Sequence, residues 1–414
     1  MSERPRTIER FVVKVGASVL TDARGRLLPE RLTSLIEQIA TCRDAHRQPI
    51  LVTSGAIACG MAKLGLTRRP TALAQLQACA AVGQSELMHL YNVAFGARRI
   101  VTAQVLLTQE DLASRARYRN AKQTLLTLLH RRVVPIVNEN DTVAVEEITF
   151  GDNDRLAALV ACAVDAQLLV ILSDVDGLLR DGKRLEQVDA LDRAHETLVR
   201  MSPRQTTTGG MASKLEAARI VGHSGIPMVI ANGTARSVLT RLLAGRSVGT
   251  LFAPPRNRLT SRKWWLAFAL RRPQGNLVVD DAAAQALTQR GKSLLACGIT
   301  DVRGRFEPGA FVSIIDRRGG ELGRGVSAFS SSELSRVRGL RSADIAKALG
   351  SGRAREAIHR DHLVLTKELQ RSFDSPPQVV AGRSPRAEHG TRCEAGFRPP
   401  GGHRGTTDSA HGAP

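Results

Sequence analysis

Between residues 11 and 255 the chain alternates short runs of β-branched and aliphatic residues with longer amphipathic stretches, and each short run halts at small or polar residues. Strands separated by helix-length crossovers re-enter a sheet running the same way, so this rhythm restricts the fold to a parallel α/β arrangement. The runs predict strands at Phe11–Val15, Pro49–Val52, Val133–Val137, Leu168–Leu172 and Met228–Ala231. They halt at Gly16-Ala17-Ser18, Thr53-Ser54-Gly55, Asn138 to Asp141, Ser173-Asp174 and Asn232-Gly233. Ligands of open parallel sheets bind outside the carboxyl ends of the strands. Five polar tips therefore predict one shared site in an open, mostly parallel sheet sandwiched by helices.

A chain of 414 residues exceeds one ordinary core, and its texture changes after residue 255. A segment with Pro254, Pro255, Pro273 and the pair Trp264-Trp265 reads as a linker over 256–274. Short strands punctuated by glycines then follow at Leu277–Asp280, Phe311–Ile315 and Gly323–Phe329, which suits a small β-rich barrel at 275–365. The segment 366–414 is rich in Pro and Gly without apolar period, so a disordered tail is expected.

Composition narrows the function. No stretch reaches the roughly 18 to 20 apolar residues of a membrane span, and residues 1–10 are polar rather than signal-like. The six cysteines form no C-x-x-C pair, which argues against a zinc site or a disulfide framework and for a reducing cytoplasm. The formal charge of +20 invites a nucleic-acid reading. However, the excess is spread along the chain, and only 9 of 59 cationic residues are lysine, so arginine-filled solvated faces account for it. With 3% aromatic residues, a base-stacking platform is not expected.

Two phosphate-loop look-alikes fail on context. Ala286 to Ser293 follows a helical segment instead of a strand, and Gly177 to Lys183 is followed by Arg184 where a hydroxyl is required. Lys14 is more informative, because it interrupts the apolar run of the first strand just before Gly16. Buried without a partner it would be costly. Either it snorkels from an edge strand, or it meets an anion that the glycine lets approach the backbone. Thr208-Gly209-Gly210-Met211-Ala212-Ser213-Lys214 precedes a helical segment, where free amides and the helix dipole suit phosphate; an ordinary mobile loop is the alternative.

Asn138-Glu139-Asn140-Asp141 and Gly151-Asp152-Asn153-Asp154 place alternating amides and acids close in sequence. Asp152 reads equally well as a helix cap. Amides donate to carboxylates and accept from ammonium groups, so the clusters suit an amino acid; magnesium ligation is the competing reading. Ser54 has no triad partner and is expected to hydrogen-bond a substrate. Ser173 and Asp174 either contact a nucleotide or simply end a strand.

Together V-V-K-V-G-A-S, V-T-S-G-A-I, N-E-N-D, G-D-N-D, L-S-D-V-D-G-L and T-G-G-M-A-S-K, in this order, resemble the glutamate-phosphorylating branch of the amino-acid kinase family. The similarity runs from about Phe11 to Leu365 and takes in Ala80 to Ser85, Leu106 to Thr108 and Ala357 to Asp361. The second domain resembles the PUA module. The resemblance implies ATP-dependent phosphorylation of the side-chain carboxylate of L-glutamate, with Mg²⁺, as the first step of proline synthesis. By position, Lys14 matches the lysine on the ATP phosphates. Ser54, Asp141 and Asn153 match glutamate-binding residues, Ser173 and Asp174 a nucleotide contact, and Thr208 to Lys214 the nucleotide loop. Asp154 matches the carboxylate that organises Lys14 and Lys214, so these three are the expected catalytic residues, with no protein-held metal. Ala17 departs from the family's usual Ser or Thr. The resemblance further implies a homo-oligomer, inhibition by proline through the glutamate pocket, and handover of product to glutamate-5-semialdehyde dehydrogenase. Alternatives are a kinase for aspartate, N-acetylglutamate or a nucleoside monophosphate, or an RNA-binding PUA protein.

Overall fold

A computed structural model of the chain describes residues 8–22, 26–144, 153–189, 191, 210–255, 273–340, 342–349 and 356–367. The first region begins β1 (Arg10–Val15), α1 (Ala17–Leu20), α2 (Pro29–Asp44), β2 (Gln48–Val52), α3 (Ala56–Lys63) and α4 (Leu73–Gly96). It continues through β3 (Thr102–Leu107), α5 (Gln109–Ala113), α6 (Arg115–His130), β4 (Val134–Glu139), α7 (Asn153–Ala163) and β5 (Leu168–Ser173). Three two-residue strands follow, β6 (Leu179–Arg180), β7 (Lys183–Arg184) and β8 (Gln187–Val188). The region closes with α8 (Met211–His223), β9 (Met228–Asn232), α9 (Val238–Leu243) and β10 (Thr250–Phe252).

Eight of these strands form one sheet in the order β3-β4-β2-β1-β5-β9-β10-β8. All neighbouring pairs are parallel except β9 with β10. The five expected strands are all present, and they supply the sheet's interior. β4 starts one residue later than its apolar run suggests and ends later too, so Asn138 and Glu139 belong to the strand itself.

Both faces of the sheet are covered, which is why its inner strands read as unbroken apolar runs. Side chains alternate between faces along a strand. Phe11, Val13 and Val15 of β1 therefore pack with α2, α4 and α9, whereas Val12 packs with α6, α7 and α8. Lys14 has the parity of Val12, so it points to the α7/α8 side. Every residue of α7 is buried: the run from Leu156 to Ala163 is apolar on all sides, and the polar first turn Asn153-Asp154-Arg155 is buried with it.

The second region contains β11 (Asn276–Val279), α10 (Asp281–Arg290), β12 (Ile299–Arg303), β13 (Phe311–Ile315) and β14 (Glu321–Val326). Two helices, α11 (Ser331–Val337) and α12 (Ser342–Leu349), precede β15 (Leu363–Leu365). The strands form a five-stranded sheet ordered β12-β11-β13-β14-β15 around a core drawn from residues 277–365. Asp280, expected at the end of a strand, instead caps α10 by accepting a hydrogen bond from the amide of Ala283 at 2.7 Å.

Both phosphate-loop look-alikes are ordinary structure. Gly291 ends α10 at φ 57°, and Gly177 to Lys183 leads into a β6/β7 hairpin turning at Asp181 and Gly182. The linker core 256–272 and the tail from 368 lie outside the described residues. Among the described residues no helix is long and apolar enough to cross a membrane.

Candidate active site

The strand tips that the sequence marks as polar lie side by side along one edge of the sheet, because the register pairs Lys14 with both Val52 and Ile171, Val52 with Val137, and Ser173 with Asn232. β1 is central, with β2 and β4 on one side and β5 and β9 on the other.

Lys14 is 4% exposed, so it is not the edge-strand lysine reaching water that the sequence also allowed. Its Nζ lies 2.7 Å from Oδ1 of Asp154, in the first turn of α7, and Nζ of Lys214 in α8 lies 3.1 Å from Oδ2. Ser213 Oγ donates to the same Oδ2 at 2.8 Å. Burial pushes the Asp154 carboxyl up, but the two lysines and the hydrogen bonds outweigh it and hold the group below the usual carboxylate range. The N-terminal dipole of α7 acts in the same direction. Burial also pushes the Lys214 ammonium below the ordinary lysine value, against the opposing pull of Asp154 and, more weakly, Asp174. The result is two ammonium groups organised by one carboxylate, with net positive charge.

Toward β2 and β4 lies an amide cluster. Asn153 Nδ2 donates to the backbone oxygen of Thr53 at 2.9 Å, to Ser54 Oγ at 2.9 Å and to Asn138 Oδ1 at 3.1 Å. Asn138 Nδ2 donates to Gln84 Oε1 at 2.7 Å. Two buried atoms here have no partner among the described residues, the acceptor Asn153 Oδ1 and the donor Gln84 Nε2. One side of the cluster thus lacks a donor and the other an acceptor, which is complementary to a ligand bearing both ammonium and carboxylate. Thr53 is held from behind by a 2.7 Å hydrogen bond between its Oγ1 and the Tyr91 hydroxyl of α4.

Toward β5, Ser173 Oγ donates to Asp174 Oδ1 at 3.0 Å, and Asp174 is exposed. The Gly16 amide donates to the Leu172 carbonyl at 3.0 Å, which draws the β1 and β5 tips together. A Cβ on Gly16 would lie 3.9 Å from Lys14 Nζ, so the ammonium curls back over its own strand end. Gly210 caps α8 without a side chain; the Ser213 amide donates to the Gly210 carbonyl at 3.2 Å, and among the described residues no side chain caps the amides of Met211 and Ala212, which suits an anion. Met211 is buried and Ala212 exposed there.

Of the predicted residues, the structure thus joins Lys14, Asp154, Ser213 and Lys214 in one cluster and Ser54 with Asn153 in an adjoining one. Asp141 lies half-buried in the turn that follows β4. Thr208 and Gly209, and the proposed cap Asp152, fall outside the described residues. Asn138 belongs to the acidic-amide cluster that the sequence assigns to amino-acid recognition, whereas Gln84 sits mid-helix with no spacing signal, and only its hydrogen bond to Asn138 identifies it. Among the described residues no three His, Cys, Asp or Glu side chains converge as a metal cage.

The model of the amino acid kinase family matches residues 9–232, and that of the PUA domain matches residues 275–349. A glutamate 5-kinase from Caldanaerobacter subterraneus subsp. tengcongensis is 46% identical over 363 residues, covering 86% of this chain and 97% of that protein. A glutamate 5-kinase of Thermus thermophilus is 46% identical over 367 residues, covering 87% and 98%. One from Meiothermus ruber is 46% identical over 371 residues, covering 88% and 97%. With the family model spanning more than half of its length and these relatives aligned nearly end to end, the chain belongs to the amino acid kinase family and carries a PUA domain.

Proposed function

We propose that the chain transfers the terminal phosphoryl group of ATP to the side-chain carboxylate of L-glutamate, giving γ-glutamyl phosphate. The observation that carries this reading is the placement of Lys14 on the central strand, paired with Lys214 through Asp154, between the amide cluster and the β5 tip. Glutamate then sits on the Ser54, Asn138 and Asn153 side, with Asp141 at its rim. The nucleotide sits over Ser173, Asp174 and the start of α8, with residues 208–214 as its loop.

Donor and acceptor meet above Lys14. The attacking carboxylate is already ionised at neutral pH, so no general base is needed. The barrier lies in bringing one anion to another, and it is lowered by positioning and fixed positive charge. Lys14 and Lys214 supply that charge, and Asp154 keeps the two ammonium groups from separating. Asn153 Oδ1 and Gln84 Nε2 are available to the ammonium and α-carboxylate of the amino acid, which favours glutamate over a nucleoside monophosphate.

The donor set suits Mg²⁺ delivered with ATP. Asp154 is committed to two lysines, and the exposed Asp174 remains to meet a cation held mainly by phosphate oxygens and water. When bound, that ion neutralises phosphate charge.

Incubation with ATP, Mg²⁺, glutamate and hydroxylamine is expected to yield γ-glutamyl hydroxamate. Lys14→Ala and Lys214→Ala should each lower kcat about 100-fold or more, on the order of 3 kcal/mol of barrier. A folded wild-type protein that forms no glutamate-dependent product, or variants with full activity, would refute the assignment. Aspartate and N-acetylglutamate as competitors separate the related kinases. We also read the chain as two functional domains, 1–255 and 275–365, working in the cytoplasm as a homo-oligomer. Proline as inhibitor, handover to a dehydrogenase and RNA retention by the second domain extend the same reading.

A further inference from the structure

Immediately beyond Asp154 the chain buries a second charge. Arg155 in α7 is 4% exposed, and its guanidinium bridges two other elements. Nε donates to Gln109 Oε1 at 2.9 Å, and Nη1 donates to Glu216 Oε1 at 2.5 Å. Gln109 opens α5 at the β3 tip, and a reciprocal capping box between Thr108 and Asp111 anchors it there. Glu216 belongs to α8, two residues after Lys214. α7 and α8 are therefore tied twice, by Asp154 to Lys214 and by Arg155 to Glu216.

The two ties differ in what the reaction demands of them. At about 100° per residue, Lys214 and Glu216 leave α8 in directions roughly 160° apart. Holding both restrains the rotation of α8 about its own axis as well as its distance from α7. If Lys214 serves the phosphates, its ammonium divides its three donors between Asp154 and ATP, and the first tie is then weakened. Glu216 has no such duty. A buried guanidinium is expensive in place of an apolar side chain, so its persistence here calls for a geometric reason.

We infer that Arg155 is a positioning residue: by gripping Glu216 against the Gln109 anchor, it holds the rotation of α8 so that Lys214, while its ammonium is shared between Asp154 and ATP, stays aimed at the transferring phosphoryl group. This rests on the reading of Lys214 given above.

The test compares Glu216→Gln, Arg155→Lys, Arg155→Met and the double variant Arg155→Met/Glu216→Gln with Lys214→Ala in the hydroxamate assay, alongside thermal melts. Glu216 is half-buried, so Glu216→Gln is expected to fold even where an Arg155 variant does not. It should lower kcat about tenfold, leave the KM for glutamate within twofold, and melt close to wild type. Arg155→Lys, which keeps the charge but not the two-pronged geometry, should fall with it, and the double variant should be no worse than Arg155→Met. A dead Lys214→Ala beside a Glu216→Gln of full kcat overturns the positioning role alone. Full activity in Lys214→Ala overturns the reading beneath it. Losses of kcat that track melting temperature, with both KM values drifting together, mark Arg155 as structural only and also overturn the inference.

Discussion

A single carboxylate held between two ammonium groups makes the alkaline limb of the rate profile informative. Burial already places Lys214 below the ordinary lysine value, and Asp154 is the main group resisting that shift. Asp154→Asn removes the resistance, so the pH above which kcat falls should move lower than in wild type, with kcat itself reduced about 100-fold. The fall is not unfolding. A lysine whose folded pKa is depressed loses its proton before the unfolded chain does, so stability rises with pH up to the unfolded value near 10.4. Asp154, shifted down, contributes stability that is complete above about pH 4 and fades only as pH drops through its folded value. Rate and thermal midpoint measured together from about pH 6 to 10 check this; an alkaline limb that does not move in Asp154→Asn would count against the coupling. At this scale the sequence was most legible where a residue broke its own pattern. Lys14 stood out in an apolar strand, and it is one of only nine lysines among 59 cationic side chains. Arg155 did not stand out, because one more arginine in an arginine-rich chain carries no signal until its buried partners are seen.

Among the elements, α3 and α4 cross in direct backbone contact. A Cβ at Gly83 would fall 1.7 Å from the Ala56 carbonyl oxygen, and one at Gly60 would fall 1.8 Å from that of Cys79, so the helices touch backbone to backbone. α3 is capped at its start by Gly55, whose φ of 107° turns the chain sharply after Ser54, and α4 supplies Tyr91 to Thr53. The crossing therefore sets the β2 side of the amide cluster. Gly83→Ala should force the helices apart, lowering stability by about 3 kcal/mol and raising the KM for glutamate. Urea unfolding and steady-state kinetics measure the two effects, and unchanged values for both would mean the helices separate freely. Neither glycine was legible as a contact, since a glycine inside a helix reads equally well as a weak point. The inner strands were legible because burial on both faces writes an unbroken apolar run. β3 was not, because it lies at the sheet edge and its half-exposed Thr-Ala-Gln-Val-Leu-Leu lacks both that run and clean alternation.

Across the whole molecule, the apolar residues sort into separate interiors. The first two clusters draw on residues 11–252, and a third draws only on residues 277–365. The first two lie on opposite faces of one sheet and should melt with it, whereas the third has a sheet of its own, so calorimetry should show two transitions; a single one whose van't Hoff and calorimetric enthalpies agree would contradict this. The change of texture near residue 255 falls between those interiors, since Pro-rich punctuation and short glycine-broken strands differ in kind from βα alternation. How the chain's distant segments meet was not visible, and it matters for the order in which the protein becomes competent. β1 emerges first from the ribosome, yet its lysine faces a carboxylate and a second lysine made far later. At about 5 to 20 residues added per second, Lys14 waits ~10 to 40 s for Lys214 to be synthesised. For the first ~7 to 28 s, until Asp154 follows it, the nascent strand holds a cation with no counter-ion to bury it against. A chain that stops short of residue 214 therefore cannot complete the cluster, and the earliest-made of its two lysines is among the last to be locked in place.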